Sequence, residues 1–196
     1  MLGFQLNFLD RIITKSPKSR GKKGDGRPKF PTITRLLPST QPSRRERVLP
    51  EVKRQKKESD PMLKTIWLEV RAEFFPDRPD LDDYAVYWSK RNQIRTLASC
   101  NFYSKRISVA RELNHPNHFK WLHPLLYHEM CHGYLGEDVP EKNGKKRWHG
   151  AEFRALEHRH PRMEEFEMWI KVGGWHTAVR SHRARQAHAR RRGEDC

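Results

Sequence analysis

The sequence predicts an α+β fold, a small domain with a short antiparallel sheet and helices, flanked by basic, largely disordered tails. Three observations predict it. Apolar side chains recur at helical spacing over residues 62–75, three short β-rich runs follow between residues 84 and 110, and helical spacing returns from Phe119 onward.

The elements follow in chain order. Leu2, Phe4, Leu6, Phe8, Leu9, Ile12 and Ile13 make residues 2–14 a short amphipathic segment. A helix of that length is marginal alone in water, so it reads as a docking peptide for a partner or as an end that packs on the domain. Residues 15–60 are rich in Lys, Arg, Pro, Ser and Gly, with few large apolar side chains to offset the cost of ordering the chain; they read as a basic linker. Met62, Ile66, Val70 and Phe74 then recur every four residues, with Leu63, Trp67 and Phe75 beside them, and Pro76 and Pro79 stop that helix. The strand candidates are Tyr84-Ala-Val-Tyr-Trp-Ser, Thr96-Leu-Ala-Ser-Cys-Asn-Phe-Tyr and Arg106-Ile-Ser-Val-Ala. The short gaps between them predict an antiparallel meander. Phe119, Leu122, Leu125 or Leu126, Glu129, His132 and Gly133 align on the next helix, which stops at Gly136 or within residues 138–140. A polar loop leads to a helix from about His149, stopped by Pro161, and residues 163–171 form one more before Gly173-Gly174. The division is thus an N-terminal arm over 1–60, a folded domain over 61–176 and a basic tail over 177–196.

Charge is unevenly spread over these three parts. Of the net +16, residues 1–60 hold +10, residues 61–176 +2 and residues 177–196 +4. Two basic arms on a nearly neutral centre predict a polyanionic partner, nucleic acid first among them, through the arms. The bland alternative is solvated tails that aid solubility. Three cysteines, Cys100, Cys131 and Cys196, with no Cys-x-x-Cys, exclude a disulfide framework and a zinc ribbon and fit a reducing, cytoplasmic setting. No apolar run reaches the ~18 residues of a membrane span, and residues 1–10 do not read as a secretion signal.

The chemistry concentrates in His128-Glu129-Met130-Cys131-His132. Histidines at i and i+4 of a helix lie one turn apart on one face, so both imidazoles can reach a single Zn²⁺. The glutamate between them is turned too far round to ligate with them but can approach a metal-bound water as a general base. The surrounding Leu125, Leu126, Met130 and Leu135 predict that this helix is buried, which makes two histidines without a ligand hard to explain. A catalytic site needs a third ligand and an open fourth position. His149, His158, His160 and His176 are the candidates. His149 is preferred because it opens a helix after a loop long enough to return over the first, and Gly150 permits close approach. His158 and His160 lie in the charged run Glu157-His-Arg-His-Pro-Arg and read as surface. Cys131 points about 100° away from His132 and reads as packing. Trp67, Trp88 and Trp121 read as core, while Trp148 and Trp175 stay open as surface aromatics. Tyr127, Tyr134 and Arg159 are open candidates for oxyanion stabilisation.

With these motifs in their order, Tyr87-Trp-Ser-Lys-Arg, Ala98-Ser-Cys-Asn-Phe, Arg106-Ile-Ser-Val-Ala, Leu125-Leu-Tyr-His-Glu-Met-Cys-His-Gly-Tyr-Leu and His149-Gly-Ala-Glu-Phe, the segment from about 62 to 172 resembles the SprT-like family of zinc metalloproteases, which includes Spartan. The resemblance implies a small zincin-like domain, Zn²⁺ as cofactor held by His128, His132 and His149, Glu129 as the catalytic base, and proteolysis of a protein substrate, in the best-known members one crosslinked to DNA. Unlike several members, this chain has no Cys-x-x-Cys ribbon after the domain; the basic arms are then the expected DNA attachment. Two rival readings are a non-catalytic nucleic-acid-binding protein with a structural zinc, and a metalloprotease of soluble substrates with no DNA role.

Overall fold

The computed structural model describes residues 58–142 and 144–193. The docking segment at 2–14 and nearly all of the linker at 15–60 lie outside the described residues. The elements are α1 (Pro61–Phe74), a 3-10 turn (Pro79–Asp83), β1 (Ala85–Trp88), β2 (Ala98–Asn101), β3 (Arg106–Val109), a 3-10 turn (Arg111–Leu113), α2 (Pro116–Phe119), α3 (Leu122–Leu135), the short pair β4 (Glu141–Lys142) and β5 (Lys145–Lys146), α4 (Ala151–Glu157), α5 (Met163–Lys171) and α6 (Gly174–Arg191). The fold is α+β, as expected.

Local chemistry sets the ends of α1. The Asp60 side chain accepts from the Leu63 N–H at 3.1 Å and Pro61 occupies the first turn, where its missing N–H costs nothing. Leu63, Trp67 and Val70 form its buried stripe, and the Trp67 indole N–H donates to the Leu81 carbonyl at 2.8 Å. Arg71 clamps both oxygens of Asp82 at 2.9 and 3.0 Å, which ties α1 to the turn that follows.

The sheet is mixed, with the order β1-β3-β2. β2 and β3 are antiparallel, as expected, but β1 runs parallel to β3, so the three strands are not a meander. The cause lies in residues 89–97. That segment is too long for a tight hairpin and crosses the end of β3, pinned where the Ser89 N–H donates to the Val109 carbonyl and where Leu97 accepts from Ala110. Glu112 and Trp175 fix it further, by accepting from the Gln93 N–H and donating to the Ile94 carbonyl. Val86, Cys100, Ile107 and Val109 face the core between the sheet and α1 and α3.

Helix α3 is the centre of the domain. Pro124 through Gly133 are all buried. It closes on Tyr84, where a Cβ on Gly133 would stand 3.1 Å from the phenol oxygen, and it stops at Gly136, whose φ of +54° suits a residue without a side chain.

One expectation fails at the C-terminal side: residues 177–191 are helical, continuing α6 from Gly174. Trp175, left open as a surface aromatic, is fully buried. Trp175, Ala178 and Val179 dock the first turns of α6 on the domain, and Ala, Arg and Gln carry the rest by intrinsic propensity. Among the described residues, no helix is long and apolar enough to cross a membrane.

Candidate metal centre

His128 and His132 stand one turn apart on α3, 1% and 2% exposed, with ring centroids 5.0 Å apart. The loop after β5 brings His149 over them. Its ring lies 5.4 Å from that of His128 and 4.9 Å from that of His132, and its Nε2 is 3.2 Å from Nε2 of His132. One ring nitrogen from each of the three lies within 4.8 Å of the others, so this group could hold a metal ion. All three histidines expected from the sequence are therefore together.

The donor set suits a divalent transition ion. Burial holds the His132 imidazole well below its usual range, and the neighbouring His128 and His149 push the same way, so it stays neutral, which is the ligating form. Glu129 is 1% exposed and its Oε2 has no hydrogen-bond partner. Burial pushes its carboxyl up to about 7, against the opposing pull of His128. A buried carboxylate oxygen without a donor beside three convergent imidazoles has the composition a zinc site with an acid-base group would need. Cys131 takes no part: its thiol is buried against the Tyr127 side chain.

Phe153 seals one side of the group. Its ring contacts His128 at 5.0 Å, His132 at 4.4 Å and His149 at 4.8 Å between centroids. The other side is more open. His149 is only half-buried and borders a cleft of about 340 Å³ lined by Arg147, Gly150, Ala151 and Arg154.

Two residues of the charged run are not on the surface. Glu157 is fully buried with Oε1 2.7 Å from Nδ1 of His128. His160 is 3% exposed, packed against Phe74 and Tyr127, with its Nε2 2.9 Å from Nδ1 of His123. His158 is exposed, as expected. The missed signal was periodic: His149, Phe153 and Glu157 recur every four residues, as His128 and His132 do. Of the oxyanion candidates, Tyr127 is buried and donates to the Leu156 carbonyl, so its hydroxyl is committed to joining α3 to α4. Tyr134 lies under the Arg78 guanidinium, and Arg159 is exposed.

Comparison with known proteins agrees with this arrangement. No curated protein and no solved structure matches the chain. The model of the SprT-like family matches residues 63–171, more than half of the 196. That span runs from α1 through α5 and includes all three histidines. The family is associated with metallopeptidase activity, and a helix-borne histidine pair completed by a third histidine from the turn before α4 is an arrangement that can serve it. By this match and this architecture, the chain belongs to the SprT-like family.

Proposed function

We propose that the chain is a zinc-dependent endopeptidase in which His128, His132 and His149 hold the ion and Glu129 is the general base. The observation that carries this reading is the convergence of three buried or half-buried imidazoles beside a buried carboxylate oxygen that nothing among the described residues satisfies. When bound there, zinc would lower the pKa of a water towards ~7 and polarise the peptide carbonyl. The chain's own residues do the rest. Glu129 takes a proton from the attacking water and returns it to the leaving amine. Its buried position, with a carboxyl pushed up to about 7, suits a group that must both accept and release a proton near neutral pH. Phe153 packs against all three imidazoles and keeps solvent from that side.

The expected result for Glu129→Gln is retained zinc and fold, with cleavage reduced roughly 10²–10⁴-fold. Comparable turnover in that variant, with zinc still bound, would sink the assigned mechanism. A variant that binds no zinc would be uninformative about the base, so metal content is measured alongside turnover.

The preferred substrate class is protein associated with DNA. The support is electrostatic: α6 carries Arg180, Arg183, Arg185, Arg190 and Arg191, all exposed, and no acidic residue. The N-terminal arm adds a net +10 over residues 1–60. Such a surface attracts phosphates with a salt-sensitive affinity. Fluorescence anisotropy with single- and double-stranded oligonucleotides should give binding that weakens steeply with salt. No binding at low salt would leave a metalloprotease of soluble substrates.

A further inference from the structure

Glu157 occupies a costly position. It is the last residue of α4, where the helix dipole disfavours a negative charge, and it is fully buried, where a carboxylate without a partner is strongly destabilising. Its Oε1 lies 2.7 Å from Nδ1 of His128, itself 1% exposed. A carboxylate can only accept, so the imidazole N–H sits on Nδ1 and the lone pair is left on Nε2. The placement is built in from two directions. Phe153 and Glu157 lie one turn apart on α4, and His149 stands in the turn just before that helix, so the segment that carries the third histidine also reaches back to the first. Tyr127, next to His128, donates to the carbonyl of Leu156, next to Glu157, and locks the two helices in register at this contact.

We infer that Glu157 is a positioning residue for the metal site: its charge-assisted hydrogen bond fixes the tautomer and orientation of His128 and leaves Nε2 free to ligate. The inference rests on the metallopeptidase reading above. A carboxylate hydrogen-bonded behind a ligating histidine strengthens metal binding, and loss of such a partner costs about 10–100-fold in affinity.

The test uses the full chain with metal removed, titrated with zinc in competition with a chromophoric chelator. Glu157→Gln keeps an accepting oxygen at the same reach but removes the charge; it should bind zinc about 10-fold more weakly than the parent. Glu157→Leu removes both and should lose about 100-fold. The visible absorption of the cobalt-substituted protein should also change in both variants, because the ligand field at His128 changes. The melting temperature is measured with and without zinc. A positioning role predicts that zinc raises it less in the variants than in the parent. If both variants bind zinc within twofold of the parent, or lose the same stability with and without zinc, Glu157 is only structural and the inference is overturned. If Glu157→Leu does not fold, the near-isosteric Gln variant decides. Failure of the underlying reading looks different: the parent itself would bind zinc no better than His132→Ala.

Discussion

Helices α3 and α6 are of similar length and opposite construction. Ten consecutive residues of α3, including five ionisable ones, are buried, whereas α6 buries only Trp175, Ala178 and Val179 near its start. In α3 the buried polar side chains are cut off from water, so His128 and His132 are held by Glu157 and His149, and the unpartnered Oε2 of Glu129 stands out against them. In α6 the arginines are exposed, and Arg183 and Arg185 act on Glu112, His118 and His182 only as causes weaker than the burial of those groups. Positional accuracy for chemistry therefore comes from the helix that sacrifices solvent contact, while the helix that keeps it carries the exposed charge on which the proposed polyanion contact rests.

This contrast can be broken first in α3. Leu126→Ala, at a fully buried position, should cost about 2–5 kcal/mol in urea unfolding and loosen the three-histidine group with it. A loss under ~1 kcal/mol would mean that α3 is less tightly held than its burial implies.

Acid should probe the outer edge of the same helix. Burial holds His160 down to about 4, with His123 and Arg162 adding to the effect. An unfolded chain takes up this proton near pH 6.5, while the folded protein resists it until about 4. Stability from this residue is thus complete above pH 6.5 and lost as pH falls to about 4, by at most about 3 kcal/mol, less wherever solvent screens Arg162. His160→Gln should flatten that part of the stability–pH curve. An unchanged acid limb would assign it to other groups.

The smallest effect belongs to α6. Arg183→Ala should alter unfolding by no more than about 0.5 kcal/mol, yet reduce the salt dependence of DNA binding by about one phosphate contact. A change in stability without a change in the salt slope would reverse the roles assigned to the two helices.

How far the sequence spoke for itself followed the same division. The grouping of His128, His132 and His149 was readable because ligand chemistry demands particular residue types at particular steps. The extents of α1 and α5 were readable from apolar period and proline stops. Strand order was not, because period-2 runs say nothing about which neighbour a strand takes; the anchors at Gln93 and Ile94 that route the loop across β3 are tertiary. The length of α6 was hidden by its arginines, which look like a solvated tail until Trp175 and Val179 dock its first turns. Glu157 was hidden by charged neighbours, since burial of one carboxylate depends on an imidazole 29 residues away.

The parallel pairing of β1 with β3 also imposes an order in time. It joins Ala85 to Arg106 across 21 residues, whereas β2 and β3 meet through the short turn between Asn101 and Arg106. Short closures come sooner, within ~1–10 μs for a hairpin, and longer ones carry a larger entropic delay. The strand synthesised first, β1, therefore waits for one synthesised later. Substitutions in β1 should chiefly speed unfolding, and those at the β2–β3 turn should slow folding; the reverse pattern would mean that β1 docks early.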